Sequence, residues 1–258
     1  SVIVGTFFAW LVTRTDLPYK TFMKSLFLVP FMLPSFIGAL AWKMLLSPHS
    51  GYINKMWMDL FNTTEPLFNI YSYAGIALVE VMYLFPFVFI QVCGALERMD
   101  PTLEESARIS GAGLLTITRK ITIPLVLPSI MSGALLIMLY SMAHFGTVAV
   151  LGIEQGIYNI PTLIYEKIHQ SAGSFASIRT GTVLATVLIA SAALIIWTQQ
   201  KILSKGHYQI IGGKSFRPME LKLRGLRYPL LFFCLAYIGF TIVLPTVVIF
   251  LVGGVQTY

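Results

Sequence analysis

The chain has 258 residues, of which 56% are apolar and only 11% charged, and its mean hydropathy is +0.77. A soluble domain carries about 25% charged residues, so these charges are too few to cover a water-soluble globule, and lipid must cover much of the surface. The net charge of +7 does not point to nucleic acid: Lys and Arg gather in short loops between long apolar runs, with no basic face interleaved with aromatics.

A membrane-spanning helix needs about 20 mostly apolar residues. Residues 1–12 form an apolar run too short to span, and the chain opens inside it, so a further span is expected before Ser1. Longer runs follow at 21–46, 70–96, 127–151, 177–200 and 229–254. Alternating strand patterns are absent, and lipid leaves no backbone polar group unpaired, so these runs are predicted helices. The expectation is an all-α integral membrane protein with about five to six spans. Pro30, Pro34, Pro86 and Pro245 interrupt the runs and predict bends. Cys93 and Cys234 lie inside apolar runs and read as small buried hydrophobes; neither a disulfide nor a metal site is supported.

The connections differ in charge. Loop 13–20 and its flank carry Arg14, Lys20 and Lys24. Loop 97–126 carries Arg98, Arg108, Arg119 and Lys120, and loop 201–228 carries Lys201, Lys205, Lys214, Arg217, Lys222, Arg224 and Arg227. The alternate connections, 47–69 and 152–176, hold only Lys55 and Lys167. The positive-inside rule places the first three loops in the cytoplasm. In the outer connections, Tyr52, Ile53, Met56, Trp57, Leu60 and Phe61 recur at helical spacing and predict a short interfacial helix; Ile157, Ile160, Leu163 and Ile164 predict another. Lys43 and Arg179, near span ends, are expected to snorkel to head groups.

Residues 97–128, ERMDPTLEESARISGAGLLTITRKITIPLVLP, are the longest hydrophilic stretch between spans on the inner side. Asp100 can cap a helix in which Pro101 takes the first position, and Glu104 and Glu105 suit the positive end of its dipole. Gly111 and Gly113 offer a stop, and a second short helix over 114–123 is expected to end at Pro124. A small charged helix–turn–helix of this kind suits a groove on a soluble partner: Glu105 can meet a basic residue, Ala107 permits close approach, and Gly111 lets the backbone turn.

Glu105-Ser106-Ala107, then Gly111 after three residues, then Ile121-Thr122-Ile123-Pro124 after nine, resembles the signature of ATP-binding-cassette (ABC) importer permeases, with Ser106 and Ile123 as mild departures. Residues 9–20, 28–43, 145–151 and 161–165 look like the ferric-iron group of these permeases. The resemblance implies a type I ABC importer transmembrane domain with a cytoplasmic coupling helix, whose ATPase-coupling residues would be Glu104, Glu105, Ala107, Gly111, Ile121 and Pro124. It implies as partners an ABC ATPase dimer, an extracytoplasmic substrate-binding protein and a second permease half or chain, within the lipid bilayer of the bacterial inner membrane. Members of the ferric group are commonly two fused halves. On that pattern residues 1–200 would be the first half, 201–228 a basic cytoplasmic linker, and 229–258 the start of a second half. Ferric iron is the expected substrate, with phosphonate, thiamine or polyamine as alternatives.

Ionisable residues within the membrane are expensive and are candidates for function. Glu80 lies inside 70–96, and His144 lies late in 127–151, where the ferric group often has an acid; both are candidates for the translocation pathway. There is no HExxH, GxSxG or P-loop and no paired acids at helical spacing, so no catalytic residue, cofactor or metal is expected in this chain. ATP and Mg would be bound by a separate ATPase. An ion-coupled secondary transporter would need coupling-ion sites at broken helices, for which Glu80 alone offers a ligand.

Overall fold

The computed structural model describes residues 1–170, 175–205 and 222–255. Much of the expected basic linker, including Lys214 and Arg217, lies outside the described residues. Every regular element among the described residues is helical. In chain order they are α1 (Val2–Arg14), α2 (Lys20–Leu26), α3 (Val29–Met32), α4 (Ser35–Leu46), α5 (Tyr52–Phe61), α6 (Tyr73–Arg98), α7 (Thr102–Ile109), α8 (Leu114–Ile117), α9 (Ile123–Ala143), α10 (Gly146–Leu151), α11 (Ile160–Gln170), α12 (Phe175–Lys205), α13 (Arg227–Ile238) and α14 (Leu244–Val255).

Among the described residues, four stretches are long and apolar enough to cross a bilayer: Tyr73–Arg98, Thr118–Ala143, Phe175–Ser204 and Arg227–Val252. The broken pair Lys20–Met32 and Ser35–Leu46 adds a fifth if it counts as one span. Residues 21–46, where Pro30 and Pro34 predict bends, are a pair of helical pieces bent by 89°. The chain breaks before Val29 and again at Leu33–Pro34, where Pro34 leaves the helical conformation with ψ 121°. The expectation of one run at 127–151 needs correction. It is two elements: its helix is already wound by Thr118 and ends at Ala143, and α10 starts afresh at Gly146.

The expected stop at Pro124 is absent as well, because the backbone accommodates the proline. A wide π turn over Thr118–Thr122 precedes it, with the Ile123 N–H reaching back to the Thr118 carbonyl. A proline donates no N–H and crowds the carbonyl four residues back; widening the turn moves that carbonyl aside. The same device recurs at Gly239–Val243, where the Leu244 N–H bonds to the Gly239 carbonyl just before Pro245.

The chain divides into two bodies. The first comprises residues 1–28, 84–138 and 194–236, and the second 29–83, 139–193 and 237–258. The described parts of all three cation-rich connections belong to the first and those of both cation-poor ones to the second. The first body is built on aromatic and small-residue packing. Phe8 stacks on Phe27 with ring centroids 4.3 Å apart, and Phe27 meets Phe89 edge-on at 5.5 Å. A Cβ on Gly5 would lie 2.7 Å from the Phe85 carbonyl, and one on Gly133 would lie 3.0 Å from the Val88 Cα. Glycine therefore lets α1 and α9 approach α6 at backbone distance, as small residues do between membrane helices.

The second body has its core around Trp42, Leu45, Ile70, Val79 and Leu151. A Cβ on Gly38 would overlap the Tyr83 hydroxyl, so any larger residue in α4 at that position would have to displace the Tyr83 ring. Both expected outer helices form, as α5 and α11. In α5, Asn54 is fully buried. Its amide donates to the carbonyls of Leu46 and Ser47, each at 3.0 Å, and of Phe68 at 2.8 Å, and its Oδ1 accepts the Phe68 N–H at 3.2 Å. Met56, Leu60 and Phe61 face outward, which suits a helix lying against an apolar surround. Lys43 does not extend freely to head groups: its Nζ sits 3.0 Å from Glu154 and over the Tyr71 ring.

Candidate functional site

The loop after α6 is organised by its own side chains. Asp100 Oδ1 accepts the Thr102 N–H at 2.9 Å, and the Pro101 carbonyl accepts the N–H of Glu104 at 3.1 Å and of Glu105 at 3.0 Å. The far end closes in a Schellman arrangement. The Ala112 N–H reaches the Ala107 carbonyl at 3.0 Å, and the Gly111 N–H reaches Arg108 at 2.9 Å. This closure needs a left-handed residue at Gly111, whose φ is +83°, and nothing lies within 4 Å of where its Cβ would be.

The candidate coupling residues divide into two groups. Glu105 is exposed and Ala107 half-exposed, flanked by the exposed apolar side chains of Leu103 and Ile109, the latter 88% exposed. Gly111 and Pro124 are exposed and Ile121 is half-buried. Glu104 turns the other way. It is 5% exposed; its Oε1 accepts the Thr122 hydroxyl at 2.6 Å, and its Oε2 lies 3.5 Å from Arg14 Nη1. Glu104 therefore belongs to the interior of the first body, and α7 leaves Glu105 and the apolar pair free. Arg14, counted in the sequence among loop cations, is 1% exposed and neutralised by Glu104. Position along the chain gave no signal for this pairing, which joins residues far apart in sequence.

In the second body the structure brings Glu80 and His144 together. The His144 Nδ1 meets Glu80 Oε1, the Nε2 meets Ser35 Oγ, and Asn159 donates its amide to the His144 carbonyl. Asn159 in turn caps α11: its Oδ1 accepts the Thr162 N–H at 3.1 Å, while Thr162 Oγ1 accepts the Asn159 N–H at 2.9 Å. His144 thus sits in the break after α9, at the broken start of α4 and beside the head of α11. Both Glu80 and His144 are buried, so they tie the break after α9 to the side of α6 and the start of α4 and present no open charged surface. Sequence reading found both residues; the Ser35 and Asn159 partners were missed, since a serine after proline and an asparagine in a loop are ordinary.

Apolar helices long enough to cross a bilayer, joined by a capped polar loop, are the frame of a multi-pass membrane protein. Residues 1–206 match the family of binding-protein-dependent transport system inner membrane components, and the chain belongs to that family. It is a multi-pass protein of the bacterial inner membrane and a transport subunit, not an enzyme. The molybdenum transport system permease protein ModB of Escherichia coli strain K12 is 30% identical over 200 residues, covering 76% of this chain and 85% of ModB. The spermidine/putrescine permease PotB of the same strain is 26% identical, covering 79% of this chain and 73% of PotB. The ferric transport permease FbpB of Actinobacillus pleuropneumoniae is 28% identical over 234 residues, covering 90% of this chain and 33% of FbpB. A bacterial alginate ABC transporter solved with a pentasaccharide-bound periplasmic protein shares the fold at TM-score 0.57 and 16% identity, covering 79% of this chain and 70% of that one.

Proposed function

We propose that this chain carries substrate across the inner membrane of an ABC importer and that α7 is the coupling helix on which a separate ATPase dimer docks, with Glu105, Ala107, Gly111, Ile121 and Pro124 forming or shaping the contact. The observation that carries this reading is the division of labour on α7: Glu104 anchors the helix inward, while Glu105, Leu103 and Ile109 stay open. An extracytoplasmic binding protein would deliver substrate, and ATP and Mg would be held by the ATPase. Glu80 and His144 would act on the pathway by fixing the ends of the helices around it.

Ferric iron is the substrate we favour. The alignment with FbpB extends over 90% of this chain, whereas those with ModB and PotB stop at 76% and 79%. The same extent supports reading 201–228 as a linker and 229–258 as the first span of a second permease half. PotB keeps a polyamine as the second reading. Inverted membrane vesicles containing this chain, its partner permease segment and the cognate ATPase should enclose in their lumen the cognate binding protein loaded with ferric iron or with spermidine, with ATP added outside. ATP hydrolysis stimulated by the ferric-loaded protein alone supports the assignment. Stimulation by the spermidine-loaded protein alone overturns the ferric assignment, and no stimulation by either overturns both substrate readings.

A further inference from the structure

The Arg14–Glu104 pair is not used by docking. Arg14 closes α1 and is buried, and its Nε and both Nη atoms have no hydrogen-bond acceptor among the described residues. Its compensation is the Glu104 carboxylate, 3.5 Å away. The other oxygen of that carboxylate takes the Thr122 hydroxyl at the wide turn leading into α9. One acid therefore joins the end of α1, the inner face of α7 and the entry of α9. A buried charge compensated by one partner cannot separate from it without leaving both uncompensated in a poor solvent for ions. Any displacement of α7 must draw the end of α1 with it.

We propose that Arg14 and Glu104 are positioning residues that carry the movement of α7 into α1, so that α1 as well as α9 follows the ATPase. This rests on the reading of α7 as the ATPase contact. Adjacent acids then have separate duties: Glu105 faces the partner and Glu104 holds the transmission. Arginine suits the position because its rigid fork keeps its reach, whereas a lysine is a point charge on a flexible stem.

The test uses the assembled transporter in proteoliposomes, with Cys93 and Cys234 replaced by alanine and an environment-sensitive fluorophore on a cysteine at Ile3, an exposed position of α1. The probe is ATP with vanadate. In the parent, trapping should shift the fluorescence. In Arg14→Met and in Glu104→Gln, the ATPase should still copurify and hydrolyse ATP, but the shift should be lost. Arg14→Lys should recover part of it, and the exchange of Arg14→Glu with Glu104→Arg should recover more than either change alone. A full shift in Arg14→Met overturns the proposal, as does a parent that binds the ATPase and shows no shift at Ile3. If Arg14→Met does not accumulate in the membrane, a full shift in Glu104→Gln overturns it instead. Failure of the parent to retain the ATPase removes the docking reading, and this proposal with it; a responsive parent with responsive variants removes the proposal alone.

Discussion

Gly111 allows two explanations of its role to be separated by side-chain size. Its φ of +83° lies in the left-handed region, and its missing Cβ faces open space. Within the chain, any substitution is therefore strained by the backbone and not by a clash. Alanine in that conformation costs about 1–2 kcal/mol, offset by about 0.4–1 kcal/mol from the stiffer unfolded chain. The net cost of about 1 kcal/mol lowers the population of the closed turn roughly fivefold. Asparagine tolerates the left-handed region better although it is larger, and β-branched valine tolerates it least. Hydrogen exchange at Gly111 and Ala112, whose N–H groups make the closing bonds, should therefore speed up in the order Gly, Asn, Ala, Val. ATPase copurification reads the other effect. If the partner packs against the open space, Asn should retain less ATPase than Ala despite its more stable turn. Exchange in Gly111→Ala equal to that of the parent would refute the strain argument.

Glu105→Gln should weaken ATPase retention, since a hydrogen bond to a charged group contributes about 1.5–3 kcal/mol. Glu105→Arg should weaken it further by opposing the helix dipole as well; equal retention in both variants and the parent would make Glu105 a solvated residue. Glu80→Gln or His144→Ala should destabilise the protein in detergent by about 1–3 kcal/mol through the buried partner left unsatisfied, read as a lower midpoint of thermal unfolding, with the double variant costing less than the sum. Asn54→Ala removes the partner of the Leu46 carbonyl and of the Phe68 N–H and carbonyl, while the Ser47 carbonyl keeps the Gly51 N–H; a buried group left unsatisfied costs about 1–3 kcal/mol, and the change should loosen α5 as judged by proteolysis of the 47–69 connection.

Hydropathy located the spans around 70–96 and 177–200 because their signal is local: about 20 apolar residues suffice to define them. The loop at 97–126 was legible for the same reason, since Asp100, Pro101 and Gly111 act on their own neighbours. What the sequence hid depends on distant partners. Pro34 and Pro86 look alike as residues, yet Pro86 stays inside α6 while the chain breaks at Pro34. The difference lies in what packs there: Gly38 seats against Tyr83, and Gly146 against Phe36 and Ser35. Arg14 read as one more loop cation until Glu104 was found beside it. Glu80 and His144 were each found as isolated residues; that they meet one another is a property of the fold.

The central claim is that the outward face of α7 is where the ATPase meets this chain. Ile109→Cys, on the most exposed apolar side chain of that helix, placed in the assembled transporter and treated with a short bifunctional thiol cross-linker, tests it most directly. The account predicts a cross-linked product with the ATPase whose yield changes when ATP is added, and no labelling of this cysteine from the outside of intact cells. Labelling from outside, or an assembled complex that gives no cross-link at Ile109 or at a second cysteine placed at Leu103, would contradict it.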